Sequence, residues 1–238
     1  MFDMSENSVK KQKIAVFDVD GTIFRSSLFI ELVKLMITEG VFPKEARMQY
    51  EEEYEKWQNR EGGYADYINA MIDTFYANIK GVAYGDFRDL SKKVIDMQSK
   101  HTYRYSRDLL KKLKEEGYFL LAVSHSPKTI LDLFCNEIGF DKSYGVVYEI
   151  GAGDKLTGNV VDEHLIFNKA NIVKRVLKNE NLTLEDSVIV GDTEGDIQML
   201  ELADNPICFN PNSTLYKQAK IRGWSVVIER KDVVYKIQ

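Results

Sequence analysis

The chain has 238 residues, 44% of them apolar and 29% charged, with a formal net charge of −5. That length sustains one sizeable core, or a core domain carrying a smaller insert. The acidic balance counts against a nucleic-acid or anionic-membrane surface, and no apolar run approaches the ~20 residues that span a bilayer.

The first twelve residues, MFDMSENSVKKQ, lack the apolar stretch of a secretory signal and read as a short flexible tail. Next comes KIAVFDVDGT at 13–22, where four apolar residues run straight into Asp18 and Asp20. A continuous apolar run, rather than an alternating one, suits a strand of a parallel sheet covered on both faces. From 27 to 100 there is no such run. Four helical patterns fill the segment instead: Phe29 to Ile37, EARMQYEEEYEKWQ, Tyr64 to Phe75, and Phe87 to Met97, with breaks at Gly62-Gly63 and Gly81. Tyr64, Tyr67 and Phe75 read as the insert's own core, and EEEYE as a solvated face.

Strands and helices alternate after 100. A helix at 107–116 stops at Gly117, FLLAV runs to Ser124, and a helix at 129–138 stops at Gly139. YGVVYE and KLTGNVV flank GAGD as a hairpin. A helix at 170–177 precedes VIV, which ends at Gly191 and Asp192; ICF and VVI supply later strands, with a turn at Asn210 and Pro211. This alternation predicts an α/β fold with a doubly wound, Rossmann-like parallel sheet and a helical insert after its first strand. In such sheets ligands bind beyond the carboxyl ends of the strands, and three of these runs deliver polar residues there. Cys135 and Cys208 have neither metal spacing nor a disulfide framework; they read as small buried groups in a reducing cytoplasm. His101 and His164 read as surface residues, His125 as a loop residue near the pocket.

Two acids at a strand end repel unless a cation separates them or one keeps its proton. Mg²⁺ suits the first solution, with its preference for carboxylate oxygen and water. The second makes a proton donor. Gly21 lets the chain turn there, so that Asp18 and Asp20 can take different tasks, one as nucleophile and one as acid and base.

DVDGT at 18–22 resembles the first motif of the haloacid dehalogenase-like phosphatases. The remaining motifs follow in order: Ser124 in VSHSP, Lys169 in NKANIV, and GDTEGD at 191–196. The likeness spans Lys13 to the C-terminus, and the helical insert and the KLTGNVV hairpin look like the phosphoserine-phosphatase-like branch. It implies a Mg²⁺-dependent phosphoric monoester hydrolase acting on a small phosphorylated metabolite through an aspartyl-phosphate. Asp18 would be the nucleophile, and Asp20 the acid and base. Thr22, Ser124 and Lys169 would hold the phosphate. The Asp18 side chain, the Asp20 carbonyl and Asp192 would hold Mg²⁺, with Asp196 supporting waters or Lys169. The second aspartate favours phosphatase over dehalogenase chemistry, because a dehalogenase has no leaving oxygen to protonate.

The resemblance also divides the chain into a catalytic core, 13–26 and 101–238, and a helical cap, 27–100, that reads the substrate. Phosphoserine phosphatases use an acid at the cap entrance and a cap arginine. Here Ser27 takes the place of the acid, and Asn69 and Met71 lie where the arginine is expected; Arg25, Arg47, Arg60 and Arg88 are the other cationic candidates. Phosphoserine therefore stands as one alternative substrate. A phospho-aspartate signalling protein and a non-catalytic binding protein are alternatives of other classes. No nucleic-acid or membrane partner is expected, and the sequence leaves the oligomeric state open.

Overall fold

The computed structural model describes residues 11–162 and 168–237. His164 and the first ten residues of the expected tail lie outside the described residues. β1 (Gln12–Phe17) begins inside the span read as tail. Its four apolar residues divide between two layers: Ala15 and Phe17 belong to one buried cluster, Ile14 and Val16 to the other, and all four are fully buried. Both faces of the strand are thus covered, as its unbroken apolar run requires.

Between β1 and the second strand lie α1 (Leu28–Thr38), α2 (Glu51–Gln58), α3 (Tyr64–Ile79), α4 (Tyr84–Gln98) and α5 (Arg104–Glu115). α1 starts where Ser27 Oγ accepts the Ile30 amide, an ordinary N-cap. The pattern expected as one helix over 45–58 splits into a 3₁₀ turn (Lys44–Gln49) and α2. Tyr50 breaks it: its ring is buried against Tyr67, and its backbone leaves the helical region. α2 buries no residue, in keeping with its EEEYE face. Met97 does not join the packed face of α4 and is exposed, because Phe87, Leu90, Val94 and Ile95 already define that face.

The rest of the chain supplies β2 (Phe119–Pro127), α6 (Lys128–Ile138), β3 (Lys142–Ile150), β4 (Leu156–Val161), α7 (Lys169–Asn179), β5 (Leu182–Gly191), α8 (Ile197–Leu200), β6 (Asn205–Phe209), α9 (Ser213–Arg222), β7 (Ser225–Arg230) and β8 (Val233–Ile237). They form one eight-stranded sheet in the order β4-β3-β2-β1-β5-β6-β7-β8. Its six inner strands are parallel, and β4 and β8 pair antiparallel at the two edges. β1 sits where strand order reverses, between β2 and β5, the crevice in which such sheets bind ligands. β8 was not foreseen. Its turn is Lys231-Asp232, with Lys231 at positive φ, rather than the Asn-Gly pair that announces a tight hairpin.

The inserted helices share a core with the sheet instead of enclosing one of their own. A single buried cluster runs from Ala15 and Phe17 through Phe29, Phe42 and Phe75 to Phe134 and Val190. The Phe75 ring lies 5.1 Å from that of Tyr148 on β3. Backbone hydrogen bonds from Gly81 to Leu156 and from Leu156 to Val82, both 2.8 Å, tie the segment to the start of β4.

Candidate active site

The carboxyl ends of β1, β2 and β5 converge. Asp18 follows β1 directly, and its amide donates to the Val190 carbonyl of β5 (2.9 Å), so the loop after β1 is pinned to its neighbour. Lys169, the first residue of α7, is buried and reaches back across the sheet edge. Its Nζ lies 2.6 Å from Asp18 Oδ1 and 2.6 Å from Asp196 Oδ1. The other Asp196 oxygen accepts from the amides of Asp192 (3.0 Å) and Thr193 (3.1 Å). Asp196 is therefore fully engaged within the protein, bracing both Lys169 and the loop that carries Asp192. Close approach makes this possible: a side chain on Gly191 would collide with Asp196.

Asp18, Asp192 and Asp196 can bring one carboxylate oxygen each within 4.8 Å of one another. Burial, and then the charges of its neighbours, sets their protonation. Burial pushes Asp18 up; Lys169 opposes this, while Asp196 and Asp20 reinforce it, and the result is about 7. Asp192 is raised well above the usual carboxylate range, again by burial first and then by Asp18 and Asp196. For Lys169, burial alone would lower the pKa, but Asp18 and Asp196 outweigh it and hold the ammonium above its ordinary range. Fully ionised, three carboxylates would face one ammonium, an excess of two negative charges, and the raised Asp18 and Asp192 retain protons that relieve it. Asp18 Oδ2 is buried and has no hydrogen-bond partner among the described residues. An all-oxygen donor set with that charge excess and an unpartnered buried oxygen fits a divalent cation such as Mg²⁺.

Asp20 belongs to a second, adjoining set. Its Oδ1 accepts the Leu28 amide at the start of α1 (2.6 Å), and its Oδ2 accepts the hydroxyls of Ser124 (2.5 Å) and Ser126 (2.8 Å). Gly21 adopts positive φ beside it, and a methyl group there would run into the Asp192 carboxylate. Thr22 is buried, and among the described residues its hydroxyl has no partner, the other candidate residues included. The structure thus gathers Asp18, Lys169, Asp192 and Asp196 in one cluster and Asp20 with Ser124 in another, with Thr22 apart from both.

Ser126 was missed by sequence reasoning. The strand signal ended at Ser124, but β2 continues to Pro127, which pairs with Val146. The register against β3 shifts between Val123 and Pro127, and within that stretch Ser124 and Ser126 are both buried while His125 is exposed. His125 is accordingly a strand residue, not a loop one. Of the cations considered for substrate recognition, Arg47 and Arg88 pair with their neighbours Glu51 and Asp89 at the surface. Arg25 lies over the Tyr103 ring (5.5 Å), and Arg60 ends α2 at positive φ. Met71 is core, and Ser27 is engaged as the α1 cap. Tyr64 departs from the expected core stripe. It is 40% exposed, its ring lies 5.3 Å from that of Trp57, and its hydroxyl is raised by burial and by the charges of Asp20, Asp192 and Asp18. It therefore lies within the field of the acid cluster.

Comparisons with known proteins bear on the family and the fold. A family model described as haloacid dehalogenase-like hydrolase matches residues 15–201. The chain is similar to a histidinol-phosphatase of Neisseria meningitidis, 24% identical over 91% of this chain and 98% of that one. It is also similar to a phosphoserine phosphatase of Methanocaldococcus jannaschii, 25% identical over 94% and 95% of the two chains. A solved structure described as a phospho-aspartyl intermediate analogue of phosphoserine phosphatase superposes with a TM-score of 0.62, at 23% identity, over 94% of this chain and 96% of that one.

Proposed function

The chain belongs to the haloacid dehalogenase-like hydrolase family, among its phosphatases, and on that footing we propose that it hydrolyses a small phosphorylated metabolite with the help of Mg²⁺, through an aspartyl-phosphate. The observation that carries this reading is the state of Asp18: buried, fixed by Lys169 through one oxygen and unpartnered at the other among the described residues, in a cluster whose acids outnumber its one ammonium. A carboxylate held through one oxygen keeps the other for attack.

The Asp18 and Asp192 carboxylates and the Asp20 carbonyl are the groups proposed to hold the metal. Bound Mg²⁺ would supply positive charge that offsets repulsion between Asp18 and an incoming phosphate. In the first step Asp18 attacks phosphorus. The bond from phosphorus to the leaving oxygen breaks, and that oxygen takes the proton of Asp20. In the second step Asp20, now a carboxylate, accepts a proton from water as that water attacks phosphorus, and the bond to Asp18 breaks. Ser124, Thr22 and Lys169 are assigned to the phosphate oxygens; the unpartnered hydroxyl of Thr22 supports its share.

We take 13–26 and 101–238 as the catalytic core and 27–100 as a cap whose Tyr64 and Trp57 edge adjoins the acids. Among the described residues no helix is long and apolar enough to cross a membrane. A cytoplasmic location is proposed from the two unpaired cysteines, Cys135 and Cys208.

The test is phosphate release from a panel of phosphorylated metabolites with Mg²⁺ or EDTA. The panel includes phosphoserine and histidinol phosphate, the substrates named by two relatives, and an aryl phosphate. Mg²⁺-dependent release is expected. A stable phospho-aspartate without turnover would instead favour a signalling role, and no reaction at all a binding role.

A further inference from the structure

Ser126 is buried in β2, and its hydroxyl bridges two parts of the molecule. It donates to Asp20 Oδ2 at 2.8 Å and accepts the amide of Phe29, in the first turn of α1, at 3.1 Å. Ser124 donates to the same Asp20 oxygen and accepts the Ser126 amide (2.8 Å). Each serine has one proton to give, and both give it to Asp20. With the Leu28 amide, the Asp20 carboxylate accepts three hydrogen bonds.

That arrangement suits a carboxylate and leaves little room for a proton. To act as an acid Asp20 must carry one, so a donor has to turn away. The Leu28 amide is part of the α1 backbone and cannot rotate; the two hydroxyls can. Ser124 has a second task open to it, since on the reading above it turns to the phosphate. Ser126 has no such task on that reading: both serines accept an amide, but that of Ser126 comes from α1, which ties its hydroxyl to the inserted helices.

We propose that Ser126 is the positioning residue of the acid–base group. It keeps Asp20 aimed while Ser124 moves between Asp20 and the phosphate, and it makes the aim of Asp20 depend on the seating of α1. This rests on the phosphatase reading and adds to it a residue that neither the motif nor the metal requires.

Leaving-group dependence tests it. An alkyl phosphate needs its leaving oxygen protonated, whereas p-nitrophenyl phosphate, with an acidic leaving group, hardly does. Ser126→Ala is expected to lower kcat/KM for the alkyl ester by about 10-fold or more, within the range of general acid catalysis. The aryl ester should lose less than about 3-fold in kcat/KM, which reports events up to departure of the leaving group; the second step, in which Asp20 takes a proton from water, is common to both esters and enters only kcat. Ser126→Thr, which keeps the hydroxyl, should recover most of the loss. In an Asp20→Asn background Ser126→Ala should add little, because the two act as one unit. If Ser126→Ala does not fold, Ser126→Cys, close in size and a weaker donor, is read by the same ratio. Equal losses of kcat/KM on both esters, or full additivity with Asp20→Asn, would show a merely structural serine and overturn the proposal while leaving the phosphatase reading in place. A wild-type protein inactive on both esters would bring down the phosphatase reading, and this proposal with it.

Discussion

Asp18→Asn should stabilise the metal-free protein while abolishing its turnover. Burial and the neighbouring acids raise Asp18 from 3.8 to about 7. A carboxyl that holds its proton more tightly in the folded than in the unfolded state favours folding fully below about pH 4, and that contribution is lost as pH rises through 7. The difference is roughly three pH units, or about 4 kcal/mol at pH 8, at 1.36 kcal/mol per unit; at pH 5 it is less than about half of that. Asn removes the charge yet keeps an oxygen for Lys169. Because Asp192 and Asp196 share the same strain, and Lys169 loses one anionic partner, only about half of this should be recovered, roughly 2 kcal/mol at pH 8. In a chain of this size that is about 4–8 °C in Tm. The assay is thermal unfolding in EDTA at pH 8 and pH 5, repeated with Mg²⁺. The variant should melt higher than the wild type at pH 8 and differ less at pH 5, and Mg²⁺ should raise the wild type more than the variant. A variant no more stable than the wild type at pH 8 in EDTA would refute the argument that the cluster holds uncompensated negative charge.

Gly21→Ala forces a side chain onto a positive-φ residue and against the Asp192 carboxylate; Mg²⁺ affinity measured calorimetrically should fall by about 10-fold or more, as when groups that orient a metal ligand are lost. Lys169→Met leaves Asp18 and Asp196 buried without their shared cation, so denaturant unfolding at pH 8 should show a loss of about 3 kcal/mol, and phosphate release should vanish. Phe75→Ala should cost about 3–5 kcal/mol. Because its cluster is continuous with the sheet, unfolding should remain one transition by both fluorescence and circular dichroism; two separated transitions would show that the inserted helices have a core of their own.

The sheet was legible because its strands are unbroken apolar runs ending in polar residues, a pattern that one-sided helices do not produce. The same runs placed Asp18, Ser124 and Asp192 at a common edge. What escaped the sequence is instructive. Ser126 lay beyond the apolar signal, in the irregular stretch where β2 shifts register before Pro127 pairs with Val146. Tyr64 shared the helical spacing of Tyr67 and Phe75, and spacing alone does not distinguish a ring in the core from one beside a crevice. The break at Tyr50 and the β8 hairpin depend on tertiary packing and on a non-glycine residue at positive φ, neither of which has a strong local signature.

The inserted helices are moored at several places. Arg25 and Tyr103 donate their amides to His101 and Ile23 where the segment leaves and rejoins the sheet, Leu156 holds its middle, and α1 rests on Asp20 and Ser126. A body held at so many points does not swing open like a door on one hinge. The stretch farthest from the moorings, α2 and the first turn of α3, buries little of its outer face. That corner carries Trp57 and Tyr64. Both rings pack on the buried Tyr67, Trp57 stacked on it at 5.4 Å, so even here the inserted helices are fastened by aromatic contact instead of by backbone hydrogen bonds.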